Sequence, residues 1–235
     1  MIVQTVIDSL QYLSNEDKAK HLQSFFKTQK GEYGEGDIFW GITVPETKRV
    51  ARTYLNVSFF EIEEMLKNPV HEVRSCALMI LVEQFKRVKP IEKKLIVDFY
   101  LANTPYINSW DLVDLSSYNI LGKYLTDKPR DILYQLAKSE NMWEQRISIV
   151  STYAFIRNHD YEDTLALSEM LLGHSHDLIH KATGWMLREI AKRDESCMIN
   201  FVQTHYGKMP RITLRYAIEK LPKEYRQNIL IGKFE

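Results

Sequence analysis

The chain has 235 residues, of which 45% are apolar, and its 31 basic side chains equal its 31 acidic ones. The apolar content is too high for a disordered chain, and 9 Gly and 7 Pro are too few for the many turns of a β-sandwich. A net charge of zero argues against a protein that simply coats nucleic acid. No apolar run is long enough to span a membrane, and Cys76 and Cys197 form no CxxC pair. We also expect no secretory leader. We therefore expect a soluble, cytoplasmic protein with reduced cysteines.

Helical patterns follow one another along the chain, and every proline falls between them. Residues 30–37 have strong turn chemistry and are expected to form a flexible surface connection. Beyond this loop, apolar residues recur at helical spacing, first on the stripe of Val73, Ala77, Ile80, Leu81 and Phe85. A later stripe contains Ile179, Thr183, Leu187, Ile190 and Ala191. The pattern predicts an all-α fold with about a dozen helices of roughly 10 to 18 residues.

A basic residue followed by small and apolar positions recurs at Arg74, Arg146, Lys181 and Arg215, and Trp110 fills the slot between the first two. The spacings are 36, 36, 35 and 34 residues, the length of two helices and two turns. This period and pattern resemble HEAT repeats. They predict a right-handed solenoid of HEAT-like helical pairs, with one domain over residues 1–235, one continuous core and one concave face.

The repeat alignment places Trp110, Arg146, Lys181 and Arg215 on the concave face, about 10 Å apart per helix layer, where cations could follow a phosphate backbone. An equally open alternative is that the basic residues pair with acidic residues of the neighbouring repeat. Charge adds a modest indication. Residues 175–235 carry 11 basic and 7 acidic side chains, a balance of +4, which leaves −4 for the rest of the chain.

Two carboxylates close to Trp110 have different expected roles. Asn108 or Ser109 is a suitable N-cap, which places Asp111 in the first helical turn, where a carboxylate interacts favourably with the helix dipole. Asp111 is therefore expected to be structural. Asp114 lies one turn after Trp110, so these two side chains share a face, which the repeat alignment makes the concave one.

A second stripe lies further along the chain, where Lys181, Trp185 and Arg188 stand at positions i, i+4 and i+7. Gly184 costs helix stability, so we expect another group to approach the backbone closely at this point. Arg146 is expected in the layer between the two tryptophans. The concave wall would then carry two indoles, one carboxylate and several cations.

Such a wall suits hydrolysis of the N-glycosidic bond of a purine alkylated at N3 or N7, because that base already carries positive charge and leaves readily. Asp114 can stabilise the cationic sugar of the transition state and position or deprotonate the attacking water. The indole faces of Trp110 and Trp185 favour a cationic nucleoside, and Arg146 can hold a phosphate. No metal and no redox cofactor is required.

Three ordered motifs resemble the AlkD family of bacterial DNA alkylation-repair glycosylases: Ser109-Trp110-Asp111-x-x-Asp114, Asn141-Met142-Trp143-x-Gln145-Arg146 and Lys181-Ala182-x-Gly184-Trp185-x-Leu187-Arg188-Glu189-x-Ala191-Lys192. The likeness runs from about Phe39 almost to the C-terminus. It implies a HEAT-like solenoid that holds double-stranded DNA with alkylated bases in its concave face and does not flip the base. It also implies that Trp110, Asp114 and Trp185 contact the sugar of the lesion, with Asp114 catalytic and Arg146 on the DNA backbone.

The expected activity is that of a monofunctional DNA-N-glycosylase for cationic alkylpurines such as 3-methyladenine and 7-methylguanine. Lys181, Arg188 and Arg215 are expected to contact DNA, and Lys181 is expected to bind phosphate and not to form a Schiff base. We expect a monomer that is nucleoid-associated, needs no cofactor and does not bind membranes. Two alternatives stay open: a non-catalytic HEAT-repeat binder of branched or damaged DNA, and a protein-binding scaffold.

Other candidate residues have more ordinary explanations. His174, His176 and His180 include an i, i+4 pair that could ligate zinc, but capping and surface roles are favoured because no cysteine or glutamate completes the set. Trp40 and Trp143 are expected to anchor the core. Four lysines flank one turn and are expected to form a solvated edge: Lys86, Lys89, Lys93 and Lys94.

Overall fold

The computed structural model describes residues 2–234, and all of the regular secondary structure in that range is helical. An isolated parallel bridge between Ile38 and Val70 is the sole strand-like pairing within those residues. The all-α prediction is therefore confirmed. The chain divides into two compact units, the first ending at Ser116 and the second beginning at Ser117. The expectation of a single domain over residues 1–235 stays a prediction.

The first unit contains seven α-helices among the described residues. They are α1 (Ile2–Gln11), α2 (Glu16–Phe25), α3 (Val44–Thr53), α4 (Phe59–Leu66), α5 (His71–Arg87), α6 (Lys93–Ala102) and α7 (Trp110–Ser117). The last of these runs one residue past the boundary between the units. Short 3₁₀ turns at Pro90–Glu92 and Thr104–Tyr106 precede α6 and α7.

Helix α5 lies at the centre of the first unit, because both α3 and α4 pack against it. The apolar stripe predicted from sequence is buried throughout, at Val73, Ala77, Ile80, Leu81 and Phe85. The N-terminal turn of α5 also buries three polar side chains, those of His71, Glu72 and Arg74. A buried charge is costly unless it is paired, so this end of the helix requires partners from other segments.

The second unit contains eight α-helices among the described residues. They are α8 (Asp131–Ala137), α9 (Met142–Ser151), α10 (Tyr153–Ile156), α11 (Glu162–Leu171), α12 (Asp177–Ala191), α13 (Glu195–His205), α14 (Arg211–Ala217) and α15 (Lys223–Leu230). A π-helical turn at Tyr118–Gly122 and a 3₁₀ turn at Leu125–Asp127 precede them.

Helix α12 is the centre of the second unit, where it packs against α9, α11, α13 and α14. Gly184 explains how α14 comes so close. A Cβ atom at this position would lie 2.5 Å from the Cβ of Tyr216 and 2.6 Å from the carbonyl oxygen of Thr213. The predicted close approach at Gly184 is therefore confirmed, and the approaching group is a neighbouring helix.

The predicted helix lengths were too uniform, since the observed helices range from the four residues of α10 to the 17 residues of α5. The break between α9 and α10 shows one physical reason. The hydroxyl groups of Ser151 and Thr152 donate to the carbonyl oxygens of Ile147 and Ile149, each at 2.7 Å. Such hydrogen bonds from side chains compete with the helical backbone pattern, which periodicity alone does not reveal.

The loop over residues 30–37 was expected to be a flexible surface connection, but not all of it lies at the surface. Gly34 is buried and donates its N–H to the carbonyl oxygen of Lys27 at 3.1 Å. Asp37, the last residue, has a largely buried carboxylate that forms an ion pair with Arg74 of α5 at 2.7 Å. The loop is tied to the core because α5 buries a guanidinium that requires a carboxylate partner.

Candidate functional site

Trp110 is the first residue of α7 and belongs to an aromatic cluster. Its half-buried indole stacks on the ring of Phe26, with a centroid separation of 5.2 Å and an interplanar angle of 8°. Phe25, which is exposed, meets Trp110 edge-on at 6.1 Å. Phe26 in turn stacks on Phe39 at 4.8 Å. The orientation of Trp110 is therefore set by Phe25 and Phe26, which precede the loop over residues 30–37, and Phe39, which follows the loop, supports Phe26.

Asp114 lies four residues after Trp110 in α7, so the two side chains share one face of the helix. Its side chain is half-buried. The phenol of Tyr100 lies nearby. Burial raises the pKa of Tyr100, and repulsion by the Asp114 carboxylate raises it further. Tyr100 itself is hydrogen-bonded to the hydroxyl of Ser116 at 3.0 Å. The first unit thus brings together the first two predicted site residues, Trp110 and Asp114.

Asp111 has the structural role that was predicted for it. Its carboxylate accepts a hydrogen bond from Nε2 of His71 at 2.8 Å. Burial alone raises the pKa of the Asp111 carboxyl, but the positive charge of His71 and this hydrogen bond outweigh burial and lower it. Asp111 is therefore an ionised partner of a buried histidine, next in sequence to Trp110.

His71 was missed by the sequence analysis. Its Nδ1 atom lies 3.0 Å from a carboxylate oxygen of Asp37, so the imidazole bridges two aspartates. Burial lowers the pKa of His71, but the charge of Asp111 and the hydrogen bonds to Asp111 and Asp37 overcome this effect and raise the pKa to about 9. No local pattern in sequence points to this cluster, because its members are 34 and 40 residues apart.

The buried carboxylate of Glu72 fixes the backbone of residues 40–42, close to Phe39, where the likeness to the AlkD family begins. Glu72 accepts backbone N–H groups from Trp40, Gly41 and Ile42, at distances from 2.8 to 3.2 Å. Gly41 has a φ of +77°, which an L side chain rarely adopts, and this conformation helps to turn successive N–H groups towards one anion. Trp40 is only half-buried, so the prediction that its indole anchors the core was wrong. Its backbone N–H is instead held by Glu72.

Arg146 lies in α9, in the second unit, and its side chain is buried. Its Nη1 group donates to the carbonyl oxygen of Leu178 in α12 at 2.5 Å. This contact joins two neighbouring helices of the second unit. The structure therefore gives Arg146 a role in helix packing, and its contact with a DNA phosphate stays a prediction. Trp143, in the same helix, is buried as predicted for a core anchor.

Trp185 is half-buried on α12, and its indole N–H donates to Glu189 at 3.3 Å. Two further aromatic residues adjoin it that the sequence analysis missed. The ring of Tyr153 lies 6.0 Å from that of Trp185, and Tyr118 meets Tyr153 edge-on at 5.1 Å. Tyr118 begins the π-helical turn, a type of distortion that is often found at functional sites and is invisible to a search for helical periodicity.

The cations that were predicted to contact DNA differ in their surroundings within the second unit. Lys181 pairs with Asp177 of its own helix at 2.8 Å. Arg188 of α12 pairs with Glu219, which follows α14. Arg215 of α14 is exposed and forms no ion pair within residues 2–234. Among the recurring basic positions, pairing with an acidic residue outside the same helix is realised at Arg74, whose partner is Asp37. The role of Lys181, Arg188 and Arg215 on DNA stays a prediction.

The histidines near the start of α12 act as caps. His176 is the N-cap of α12 and accepts the N–H of Leu178 at 3.1 Å, and His174 accepts the N–H of His176 at 2.9 Å. No cluster of His, Cys, Asp or Glu suited to a metal ion occurs within residues 2–234. In the same range, no helix has the length and apolarity needed to cross a membrane.

The sequence matches the family model described as DNA alkylation repair enzyme over residues 6–221, which is most of the chain. The chain belongs to this family. A solved structure described as a predicted DNA alkylation repair enzyme from Enterococcus faecalis has the same fold, with a TM-score of 0.72. It is 18% identical in sequence, and the alignment covers 91% of this chain and 99% of that one. No protein of curated function matches the chain.

Membership of the DNA alkylation repair enzyme family confirms the likeness that the three sequence motifs carry, and the shared fold agrees with the predicted helical repeats. The predicted site residues lie on separate helices. Trp110 and Asp114 are on α7 of the first unit, and Trp185 is on α12 of the second. The cations lie on α9, α12 and α14.

Proposed function

We propose that this enzyme is a monofunctional DNA-N-glycosylase that removes cationic N3- and N7-alkylated purines from duplex DNA without flipping the base. The observation that carries the proposal is the pairing of Trp110 and Asp114 on one face of α7, in a chain of the DNA alkylation repair enzyme family. An indole and a carboxylate one turn apart suit a substrate whose base and sugar both carry positive charge in the transition state.

Asp114 is the proposed catalytic residue. As the bond between C1′ and the purine nitrogen breaks, the electron pair leaves with the base, whose positive charge is neutralised, and the sugar becomes cationic. A fixed carboxylate stabilises this cation electrostatically and can accept a proton from the water that attacks C1′. Because the alkylated base is already a good leaving group, no separate acid is required to protonate it.

Trp110 and Trp185 are proposed to pack against the nucleotide that carries the lesion. Each indole presents a negative π face, which attracts a cationic purine or a cationic sugar. Both rings are held in place by neighbours, Trp110 by Phe26 and Trp185 by Glu189. A ring that is already fixed loses little conformational freedom when it binds the substrate.

Lys181, Arg188 and Arg215 are proposed to contact the phosphate backbone. Arg215 is the strongest candidate, because it is exposed and forms no ion pair within residues 2–234 that it would have to give up. Lys181 and Arg188 would each exchange a carboxylate for a phosphate, which weakens their net contribution. With a net charge of zero, DNA affinity is expected to be modest and to fall as salt rises.

The test is release of free methylated purine from methylated duplex DNA by the wild type, Asp114→Asn and the matched control Asp98→Asn. Asp98 is an exposed carboxylate on α6 that pairs with Lys94, so its substitution removes one negative charge away from α7. We expect Asp114→Asn to lose at least about a hundredfold in rate, the scale of a lost electrostatic stabiliser. Asp98→Asn should keep the wild-type rate.

Binding to the same duplex separates the alternatives. The proposal expects Asp114→Asn to bind DNA at least as well as the wild type, since a negative charge is removed. Full activity of Asp114→Asn would contradict the role of this carboxylate. Tight binding to branched DNA with no base release by the wild type would favour the non-catalytic binder. The absence of any salt-dependent affinity for duplex DNA would favour a protein-binding scaffold.

A further inference from the structure

Four charged side chains from three segments meet at the N-terminal turn of α5 and are largely buried there. His71 lies between Asp37 and Asp111, with nitrogen-to-oxygen distances of 3.0 and 2.8 Å. Arg74, one turn along α5, donates to the same oxygen of Asp37 at 2.7 Å. With two carboxylates, one guanidinium and a protonated imidazole, the cluster has no net charge. Charges that are buried and mutually neutralised in this way hold the segments that carry them in one arrangement.

The cluster requires His71 to be a cation. A neutral imidazole has one N–H donor and one acceptor nitrogen, so it could donate to only one of the two carboxylates. In the observed geometry each ring nitrogen faces a carboxylate oxygen, and only the doubly protonated form satisfies both. The raised pKa of His71, about 9, agrees with this requirement.

The cluster reaches Trp110 by two routes. Asp111 is the residue after Trp110, so the hydrogen bond from His71 fixes the first turn of α7. The second route is through packing. Phe26, whose ring stacks on the indole of Trp110, also lies 5.1 Å from the imidazole of His71, and Phe39 stacks on that imidazole at 4.5 Å. His71 therefore supports both the backbone and the ring of Trp110 without being in the predicted site itself.

We propose that His71 is a positioning residue for the site: its imidazolium, clamped by Asp37 and Asp111, sets the start of α7 and thereby orients Trp110 and Asp114. This inference rests on the proposed function for its effect on catalysis, but its structural part stands independently. Asp37 holds the side of the imidazole opposite to Asp111. Arg74 forms an ion pair with the same Asp37 carboxylate and neutralises its charge.

The test compares the full-length wild type with His71→Gln, Asp111→Asn and a control, Leu81→Ala. Leu81 is fully buried in the same helix, ten residues or about 15 Å along its axis from His71. The control therefore destabilises α5 without removing a member of the cluster. All proteins are compared at a temperature at which circular dichroism shows them to be folded.

The first measurement is the indole N–H resonance of Trp110 in a ¹H–¹⁵N spectrum, assigned with Trp110→Phe. The proposal expects this resonance to shift or broaden in His71→Gln and Asp111→Asn and to stay in place in Leu81→Ala. The second measurement is the single-turnover rate of methylated-purine release, which should fall at least about tenfold in both cluster variants and less than about twofold in the control. An unmoved resonance together with a wild-type rate in His71→Gln would overturn the proposal.

The two parts of the experiment distinguish this proposal from the proposed function. If the wild type releases no base but the Trp110 resonance moves in both cluster variants, the positioning role is supported and the glycosylase proposal fails. If His71→Gln does not fold, the proposal is tested by an NMR titration of His71 in the wild-type protein. A His71 imidazole whose NMR titration gives a pKa above about 8 supports the clamped cation, and a value close to the ordinary 6.5 overturns it.

Discussion

Trp185 and Glu189 lie one turn apart on α12, and the indole N–H of Trp185 donates to a carboxylate oxygen of Glu189 at 3.3 Å. The carboxylate is buried and also pairs with Lys192 at 2.5 Å and with Arg193 at 3.4 Å. Because two cations hold the acceptor, the ring that donates to it is held as well. The second unit therefore fixes its tryptophan through a charged network, as the first unit fixes Trp110 through aromatic stacking and a histidine.

The link between Trp185 and Glu189 can be tested with two substitutions. Glu189→Ala removes the acceptor and should lower the rate of methylated-purine release about fivefold, since a typical hydrogen bond contributes about 1 kcal/mol. Glu189→Gln keeps an acceptor oxygen for the indole and should retain more of the activity. The measurement is the single-turnover rate of each variant on methylated duplex DNA. Equal losses in the two variants would mean that the ion pairs matter and the hydrogen bond to Trp185 does not.

Stability should depend on pH through His71. The pKa of His71 is about 9 in the folded protein, above the ordinary value of 6.5 that it recovers on unfolding. A raised folded-state pKa gives stabilisation that is complete below about pH 6.5 and is lost as the pH rises to about 9. The groups that face the imidazole are Asp37, Asp111 and Arg74, and burial opposes their combined effect.

The expected loss over this interval is on the order of 3 kcal/mol in the free energy of unfolding, since each pH unit between the two pKa values is worth about 1.4 kcal/mol. Urea denaturation of the wild type at a series of pH values from about 6 to about 10 measures it. His71→Gln has no imidazole at this position, so its stability should be lower and much flatter over the same interval. A wild-type profile as flat as that of the variant would contradict a clamped, charged His71.

Sequence predicted the helical architecture well where burial follows helical periodicity. The stripe on α5 that contains Ile80 and Leu81 is buried as expected, because apolar spacing reports directly which face of a helix meets the core. Gly184 was also interpretable, since a glycine inside a strong helical pattern costs stability unless a neighbour requires the space. Both features depend on residues close together in sequence, and such features can be predicted from a single sequence.

The polar part of the candidate site was harder to predict. The partners of His71 come from a loop and from α7, and no spacing rule connects residues so far apart in sequence. Arg146 shows the same limitation in another form. A basic residue at a recurring helical position can face solvent or, as here, turn inward to a carbonyl oxygen of a neighbouring helix. The π-helical turn at Tyr118–Gly122 likewise depends on packing that periodicity does not describe.

Gly184→Ala should destabilise the protein although alanine is the better helix former. The added Cβ would lie 2.5 Å from the Cβ of Tyr216 and 2.6 Å from the carbonyl oxygen of Thr213, so α14 would have to move away from α12. Overpacking of this kind costs about 1–3 kcal/mol, which exceeds the gain in helix propensity of up to about 1 kcal/mol. Thermal denaturation should show a melting temperature lower by several degrees.

Gly173→Ala is the matched control, because no atom lies within 4 Å of a Cβ at Gly173, and its melting temperature should stay close to that of the wild type. A Gly184→Ala protein as stable as this control would mean that α12 and α14 are not held as closely as the structure places them.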